Sequence, residues 1–437
     1  MRRRSPTAIS STNEEFVINE KGEWNMNKER RSVVALVSMA ALLFTFTLSG
    51  FAADQPPIKW GVVSTLQGEA GIGAKAASLM AAEEINAKGG ILGRKVECYF
   101  ADDGANPEAG ISAVKKLLYE DKVDFISGGF LSGVGLAEAP HIFAAKKLWF
   151  SGGPASPKFA EMVQNDYEKS KYFFRVGPLS TNYMSEAWAD ALYDLFSKGK
   201  GLKKVAILAE SSVWGRESAE QLRKELPKRG MEVVYYDVFD PQRTDFSPQF
   251  AKIRSSGAQV MTAIQAASSG VALSKQWAET ELPVHQVGYN MMAQSFNYWD
   301  KTGGKSLAEG TLMANGGRAA LSPTTIPFFD KFVKTYKIGP TYTAFSAYDS
   351  LYLLKVAAEK AKSLDTETLI KTLETIEYNG LAGLIRFDKN HDLIYDPTFK
   401  QGKGYVFVQW QGPNDMAVIW PTKFATTGYM NPPWIKR

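Results

Sequence analysis

The sequence predicts an α/β protein built from two doubly wound lobes, and three observations carry that prediction. Short apolar runs alternate with amphipathic stretches of helical length, the pattern of mostly parallel strands covered by helices. The alternation runs to about residue 177 and restarts near residue 204 with similar spacing. The 437 residues exceed one ordinary core and suit two domains of roughly 150–200 residues each.

In the first run, Ile58 to Val63 is an apolar strand ending at Ser64-Thr65-Leu66-Gln67-Gly68. Lys75 to Asn86 follows as a helix with Ala, Leu, Met and Ile on one face, closed by Lys88-Gly89-Gly90. Val96 to Ala101 is the next strand. Asn106-Pro107 starts a helix running to about Tyr119, because proline suits a first helical turn. Val123 to Ile126 and Leu148 to Phe150 are the third and fourth strands. After Phe174-Arg175-Val176-Gly177-Pro178 the second run places strands at Lys204 to Leu208, Glu232 to Val238, Val260 to Ile264 and Val284 to Gly288. Helices fall between them at Gly215 to Lys228, Phe246 to Ser255 and Leu273 to Thr280. Ile326 to Tyr336 and Tyr342 to Lys362 are long helices, and Gly404 to Gln409 and Met416 to Ile419 are late strands.

Composition places the chain among globular proteins, with 45% hydrophobic and 22% charged residues. Residues 1–53 carry seven Lys/Arg and five Asp/Glu, so +3 of the net +5 belongs to the remainder. No basic cluster stands out there, and no nucleic-acid partner is expected. Met26 to Arg31 is a basic segment, Val33 to Leu48 an apolar run too short to span a bilayer comfortably, and Gly50-Phe51-Ala52 offers small residues at a cleavage site. Residues 26–53 are therefore expected to be a cleavable signal peptide. Residues 1–25, with charges of both signs and no apolar run, are expected to be an overlong gene-model extension. Cys98 is the single cysteine, which excludes an intrachain disulfide. No cysteine follows the apolar run to take a lipid, which favours a periplasm over the surface of a single-membrane cell.

Ligands of such sheets bind outside the carboxyl ends of the strands. The loops that follow strands here are Ser64 to Gly73, Gly128 to Gly133, Ser151 to Ser156, Glu210 to Gly215, Gln265 to Ser269 and Tyr289 to Ala293. Glycines in any one of them are turn formers. Six small-residue loops at strand ends together point to a cleft whose backbone N–H groups suit a small anion such as a carboxylate.

The exported part, nearly all of residues 58–420, resembles the periplasmic binding proteins of the branched-chain amino-acid (leucine/isoleucine/valine-binding) type. The likeness lies in Ile85-Asn86-Ala87-Lys88-Gly89-Gly90-Ile91 with Asp102-Asp103 and Pro107, in residues 203–230 with 244–260, and in 404–420. It implies the type I fold, two Rossmann-like lobes joined by a three-crossover hinge that closes on a ligand. It also implies discontinuous lobes, 56–177 with 314–400 and 178–313 with 401–437. The expected role is capture of an amino acid or related carboxylate and handover to an ABC transporter permease. The protein is expected to act as a monomer, without cofactor, metal or catalytic residue.

The resemblance also implies site residues. Backbone amides and hydroxyls from two lobe-one loops hold the ligand carboxylate in that family, and the matching loops here contain Ser132 and then Gly153, Ala155 and Ser156. An aromatic of the second lobe closes over the ligand, and Trp214 stands in the matching place, faced by Gln265 and Ala266. The carboxylate that pairs an ammonium in amino-acid binders is matched by Asn290, whose neutral amide gives no charge-assisted bond. Either another acid supplies that charge or the ligand lacks an α-ammonium, in which case leucine, isoleucine and valine bind weakly or not at all. Trp214, Tyr289, Met291 and Met292 would suit an apolar or aromatic acid, although the two methionines serve equally as core.

Other chemistry finds little support. His141, His285 and His391 form no metal-spaced pair. Gly304-Lys305-Ser306 resembles the end of a phosphate loop, but Trp299 occupies the position of its required glycine. Asp102-Asp103 reads as a strand end that helps start the next helix. Arg175 is open to two readings, anion partner or structural residue. A sensory protein that presents its ligand to a receptor is the alternative to transport, and an enzyme on a similar fold ranks third.

Overall fold

The computed structural model describes residues 55–313, 317–413 and 415–436. The expected signal peptide at 26–53 and the extension at 1–25 lie outside the described residues.

The first sheet contains β1 (Ile58–Ser64), β2 (Val96–Asp102), β3 (Phe125–Gly128), β4 (Trp149–Ser151) and β5 (Phe173–Arg175). Its order is β2-β1-β3-β4-β5 and every pair is parallel. The second sheet repeats that order with β6 (Lys204–Glu210), β7 (Glu232–Phe239), β8 (Val260–Gln265), β9 (His285–Asn290) and β10 (Gly310–Met313), as parallel β7-β6-β8-β9-β10. A hairpin of β11 (Tyr378–Gly380) and β12 (Gly383–Ile385) comes next. β13 (Val406–Gly412) and β14 (Asp415–Trp420) then extend the second sheet antiparallel at its β10 edge.

Parallel neighbours require crossover segments, here mostly helices. The first lobe uses α1 (Glu69–Ala87), α2 (Pro107–Lys115), α3 (Ser132–Ala144) and α4 (Lys158–Asn165). The second uses α5 (Thr181–Leu192), α6 (Val213–Lys228), α7 (Ser247–Ser256) and α8 (Ser269–Glu279). After β10 the chain returns. α9 (Thr325–Tyr336) and α10 (Tyr342–Ala361) place Phe328, Phe332 and Phe345 over Ala74, Ala77 and Met80 of α1, and α11 (Thr366–Leu373) follows. The chain thus passes between the lobes three times. The first and third passages are tied together. Arg175 Nε pairs with Asp392 at 2.5 Å, Lys403 Nζ donates to the Val176 carbonyl at 3.0 Å, and Tyr405 donates to the Leu179 carbonyl at 3.0 Å.

Packing explains where the structure departs from the sequence reading. α1 begins at Glu69, ahead of the expected Lys75, so Gly71 and Gly73 are helical and not loop residues. A Cβ on Gly71 would stand 2.1 Å from the Thr65 carbonyl, and one on Gly73 2.7 Å from Thr341 Oγ1. α3 was not expected at all, because Gly133, Gly135 and Pro140 are poor helix formers. A Cβ on Gly135 would lie 3.0 Å from Pro154 and 3.3 Å from the Trp149 ring, so the small residue lets this helix sit on its sheet. α4, α5, α11, β5 and β10 to β12 also lacked a local signal. Of these, β5 and β10 to β12 run to only three or four residues, and α4 and α11 to eight. Asp102-Asp103 does end β2, but the helix that follows is capped by Asn106, whose side chain accepts from the Glu108 and Ala109 amides. Among the described residues no helix is long and apolar enough to cross a membrane.

Candidate ligand-binding site

In a sheet of order 2-1-3-4-5, connections leave the first and third strands on opposite faces, and a crevice opens at their carboxyl ends. Those points are β1/β3 in one lobe and β6/β8 in the other, and both lobes contribute to one cavity of about 220 Å³. Its walls come from the loops after β3 and β4, from the start of α6, and from the ends of β8 and β9. The lobes meet beside it. A Cβ added to Gly133 would touch Val213 Cγ2 at 3.5 Å. Two ion pairs also bridge the lobes, Lys158–Glu217 at 3.4 Å and Lys301–Glu69 at 2.6 Å.

The first-lobe wall carries the Ser132 hydroxyl and the opening turn of α3. Ser132 opens α3, is 2% exposed, and lines the cavity. Its Oγ accepts the N–H groups of Ala155 and Ser156, each at 3.2 Å, which leaves its own proton to be donated elsewhere. The first amides of a helix have no intrahelical acceptor and carry the positive end of its dipole. Gly153 and Ala155 line the same wall. A Cβ on Gly153 would stand 2.0 Å from the Gly129 carbonyl, so only glycine lets the two loops approach this closely. Ser156 does not line the cavity and instead supports Ser132.

Arg175 holds this loop from behind. It is fully buried and donates to the carbonyls of Pro154 at 2.6 Å and Ser156 at 2.8 Å, while pairing with Asp392. Of its two readings the structure supports the structural one.

The second-lobe wall is mostly apolar. Trp214 and Tyr289 line it edge to face, with ring centroids 4.9 Å apart. Val213, Met291 and Ala266 join them, with Phe130, Val134 and Tyr342 from the first lobe. The α6 start is set by Ser212, whose Oγ accepts the Gly215 amide at 3.0 Å.

Neither Asn290 nor Gln265 is brought into the cavity. Successive strand residues face opposite sides, so Tyr289 and Met291 point toward the cavity and Asn290 away from it. Asn290 is 2% exposed, and its Nδ2 donates to Tyr298 Oη at 2.8 Å and Glu309 Oε1 at 2.9 Å. Gln265 pairs in register with Asn290 and is buried on the same side. The cavity therefore presents Met291 where Asn290 was expected, and the case against leucine, isoleucine and valine no longer rests on that amide. Met292 is also outside the lining.

The cavity does contain a carboxylate that the site reading passed over, Glu210 at the end of β6. Its Oε1 accepts from Ser212 Oγ at 2.7 Å and its Oε2 from the amides of Ala266 at 2.7 Å and Ala267 at 3.3 Å. Burial pushes this carboxyl above its ordinary value, while those three donors pull it back. The signal for it was present, since a lone acid terminates an otherwise apolar strand at the first residue of a strand-end loop. Cys98 is chemically quiet, because burial pushes its thiol up to about 12.

Residues 57–412 match the family described as "Periplasmic binding protein". The "Leu/Ile/Val-binding protein homolog 3" of Brucella melitensis is 26% identical over 83% of this chain and 95% of its own length. The fold is similar to that of a Streptococcus pneumoniae branched-chain amino acid transporter substrate binding protein solved with isoleucine. There the TM-score is 0.70 at 18% identity, over 84% of this chain and 100% of that one. It is also similar to a Rhodopseudomonas palustris ABC transporter solute binding protein solved with 3,4-dihydroxybenzoic acid. That comparison gives a TM-score of 0.68 at 20% identity, over 86% of this chain and 99% of that one. With two matching lobes, a cavity at both strand-end crevices and a family match across most of its length, the chain belongs to the periplasmic binding protein family.

Proposed function

We propose that this protein captures a small organic acid with an apolar or aromatic body between its lobes and releases it unaltered to an ABC importer. One observation carries the reading. A wall that presents the Ser132 hydroxyl proton and the opening amides of α3 faces a mostly apolar wall at Trp214, Tyr289 and Met291 across one small cavity. A cavity of about 150 Å³ holds benzene, so about 220 Å³ has room for one ring with its substituents. The relatives solved with isoleucine and with 3,4-dihydroxybenzoic acid support a carboxylate as the shared ligand group.

The same reading assigns residues 56–177 and 314–400 to one lobe and 178–313 and 401–437 to the other. It places the mature protein in the periplasm after removal of residues 26–53, as a monomer that meets a permease. Turnover forms no part of it.

A thermal-shift screen of amino, aromatic, aliphatic and keto acids against the purified protein tests the proposal. A ligand at a hundred times its Kd adds about 2.7 kcal/mol to stability and raises the melting temperature. Failure of every acid to raise it would sink the reading, as would chemical conversion of the one that does.

A further inference from the structure

Glu210 stands apart from the rest of the cavity wall. It is an acid in a lining otherwise made of apolar side chains, hydroxyls and backbone, and it is 2% exposed. A carboxylate offers about four lone-pair sites. Three are taken within its own lobe, two on Oε2 by the amides of Ala266 and Ala267 and one on Oε1 by Ser212 Oγ. Among the described residues the second site of Oε1 has no donor and is open to a group in the cavity that Glu210 lines. Ser132, across the lobe boundary, is arranged in the opposite sense. Its oxygen is filled by two amides and its proton remains to be given. The two walls therefore differ in polarity, with a hydroxyl proton to give at Ser132 in the first lobe and a carboxylate oxygen to accept at Glu210 in the second.

We propose that Glu210 determines specificity by accepting a hydrogen bond from the ligand, so that the preferred ligand is an organic acid that also carries a hydroxyl or ammonium group. This rests on the acid-capture reading and goes further by naming the second functional group. An acid without a donor would leave that second site open and place apolar surface against a carboxylate.

Calorimetry with matched pairs of acids tests it, using benzoate against 4-hydroxybenzoate and 3-phenylpropionate against phenylalanine, on wild type and Glu210→Gln. In the wild type the donor-bearing member of at least one pair is expected to bind about tenfold tighter or more. In Glu210→Gln that margin shrinks, and it shrinks further for the ammonium than for the hydroxyl because the charge is lost. Wild-type preference for the bare acids in both pairs, or a margin that survives Glu210→Gln, overturns the proposal while acid capture stands. Binding by neither member of either pair, nor by isoleucine, removes acid capture and this inference with it. If Glu210→Gln does not fold by circular dichroism, the wild-type ranking decides alone.

Discussion

Trp214 meets Tyr289 edge-on at 4.9 Å, and both rings line the cavity, so the indole serves the packing of the second lobe and the wall of the site at once. It is only partly buried, which separates its two duties. Trp214→Ala is expected to weaken ligand affinity roughly tenfold or more, the loss common for a central aromatic contact. The circular dichroism spectrum should not change. Calorimetry giving wild-type affinity would count against this cavity as the site. Arg175 shows the opposite case. Its charge is spent entirely on Asp392 and on two carbonyls of the loop that carries Ala155, so it shapes the anion-receiving wall without facing it. Asn290 likewise supports its lobe from behind the wall, through Tyr298 and Glu309. Of the residues expected to bind ligand, Ser132, Gly153, Ala155, Trp214 and Ala266 line this cavity, whereas Ser156, Gln265 and Asn290 do not.

At the scale of elements, α3 joins the site to an unusual interior. Ser132 begins it and Val134 lines the cavity, while Glu138, one turn further, is fully buried with neither carboxylate oxygen hydrogen bonded among the described residues. Gly110 makes the space, since a Cβ there would stand 2.9 Å from Glu138 Oε1. Burial first, and then the nearby Asp103, push the Glu138 carboxyl up to about 8. The folded state therefore holds this proton more tightly than the unfolded chain does. The resulting stability is complete below the ordinary carboxyl value of 4.5 and is lost as pH rises toward about 8. Glu138→Gln, neutral at every pH, is expected to flatten that decline when melting temperatures are compared at acidic and mildly alkaline pH. Parallel curves for the two proteins would refute the assignment. Burial also raises Glu309 to about 7 and Asp349 to about 6, so the difference between variant and wild type is the informative quantity.

For the whole molecule, the question is what holds two lobes together over a cavity when only three chain passages connect them. Gly133 and Val213 lie close enough across the lobes that an added Cβ would touch, and the pairs Lys158–Glu217 and Lys301–Glu69 bridge them. Lys301 and Glu69 are about one-third exposed, 36% and 31%, so their pair contributes at most about 1 kcal/mol. Contacts made only in the closed form raise affinity by favouring that form. Lys301→Glu, which sets like charges together, is expected to lower affinity by roughly threefold at low salt. The effect should fade near 1 M salt, where the screening length falls to about 3 Å. A loss independent of salt, or none, would remove this pair from the closing contacts.

Much of this architecture is written locally. The short apolar runs, the helical stripes between them and the small-residue loops at strand ends predict two doubly wound lobes with a crevice at the strand ends, because apolar patterning and turn chemistry are properties of neighbouring residues. Elements whose logic is long-range escaped that reading. α3 exists because Gly135 fits under Pro154 and Trp149, and Gly73 sits in α1 because α10 comes close from far along the chain. The identity of the wall is likewise tertiary. Alternation along the strand turns Tyr289 and Met291 toward the cavity and Asn290 away from it, and the meeting of two lobes brings Glu210 and Ser132 to one cavity. A strand shows which residues alternate, but only its packing partners decide which of its two faces meets the ligand.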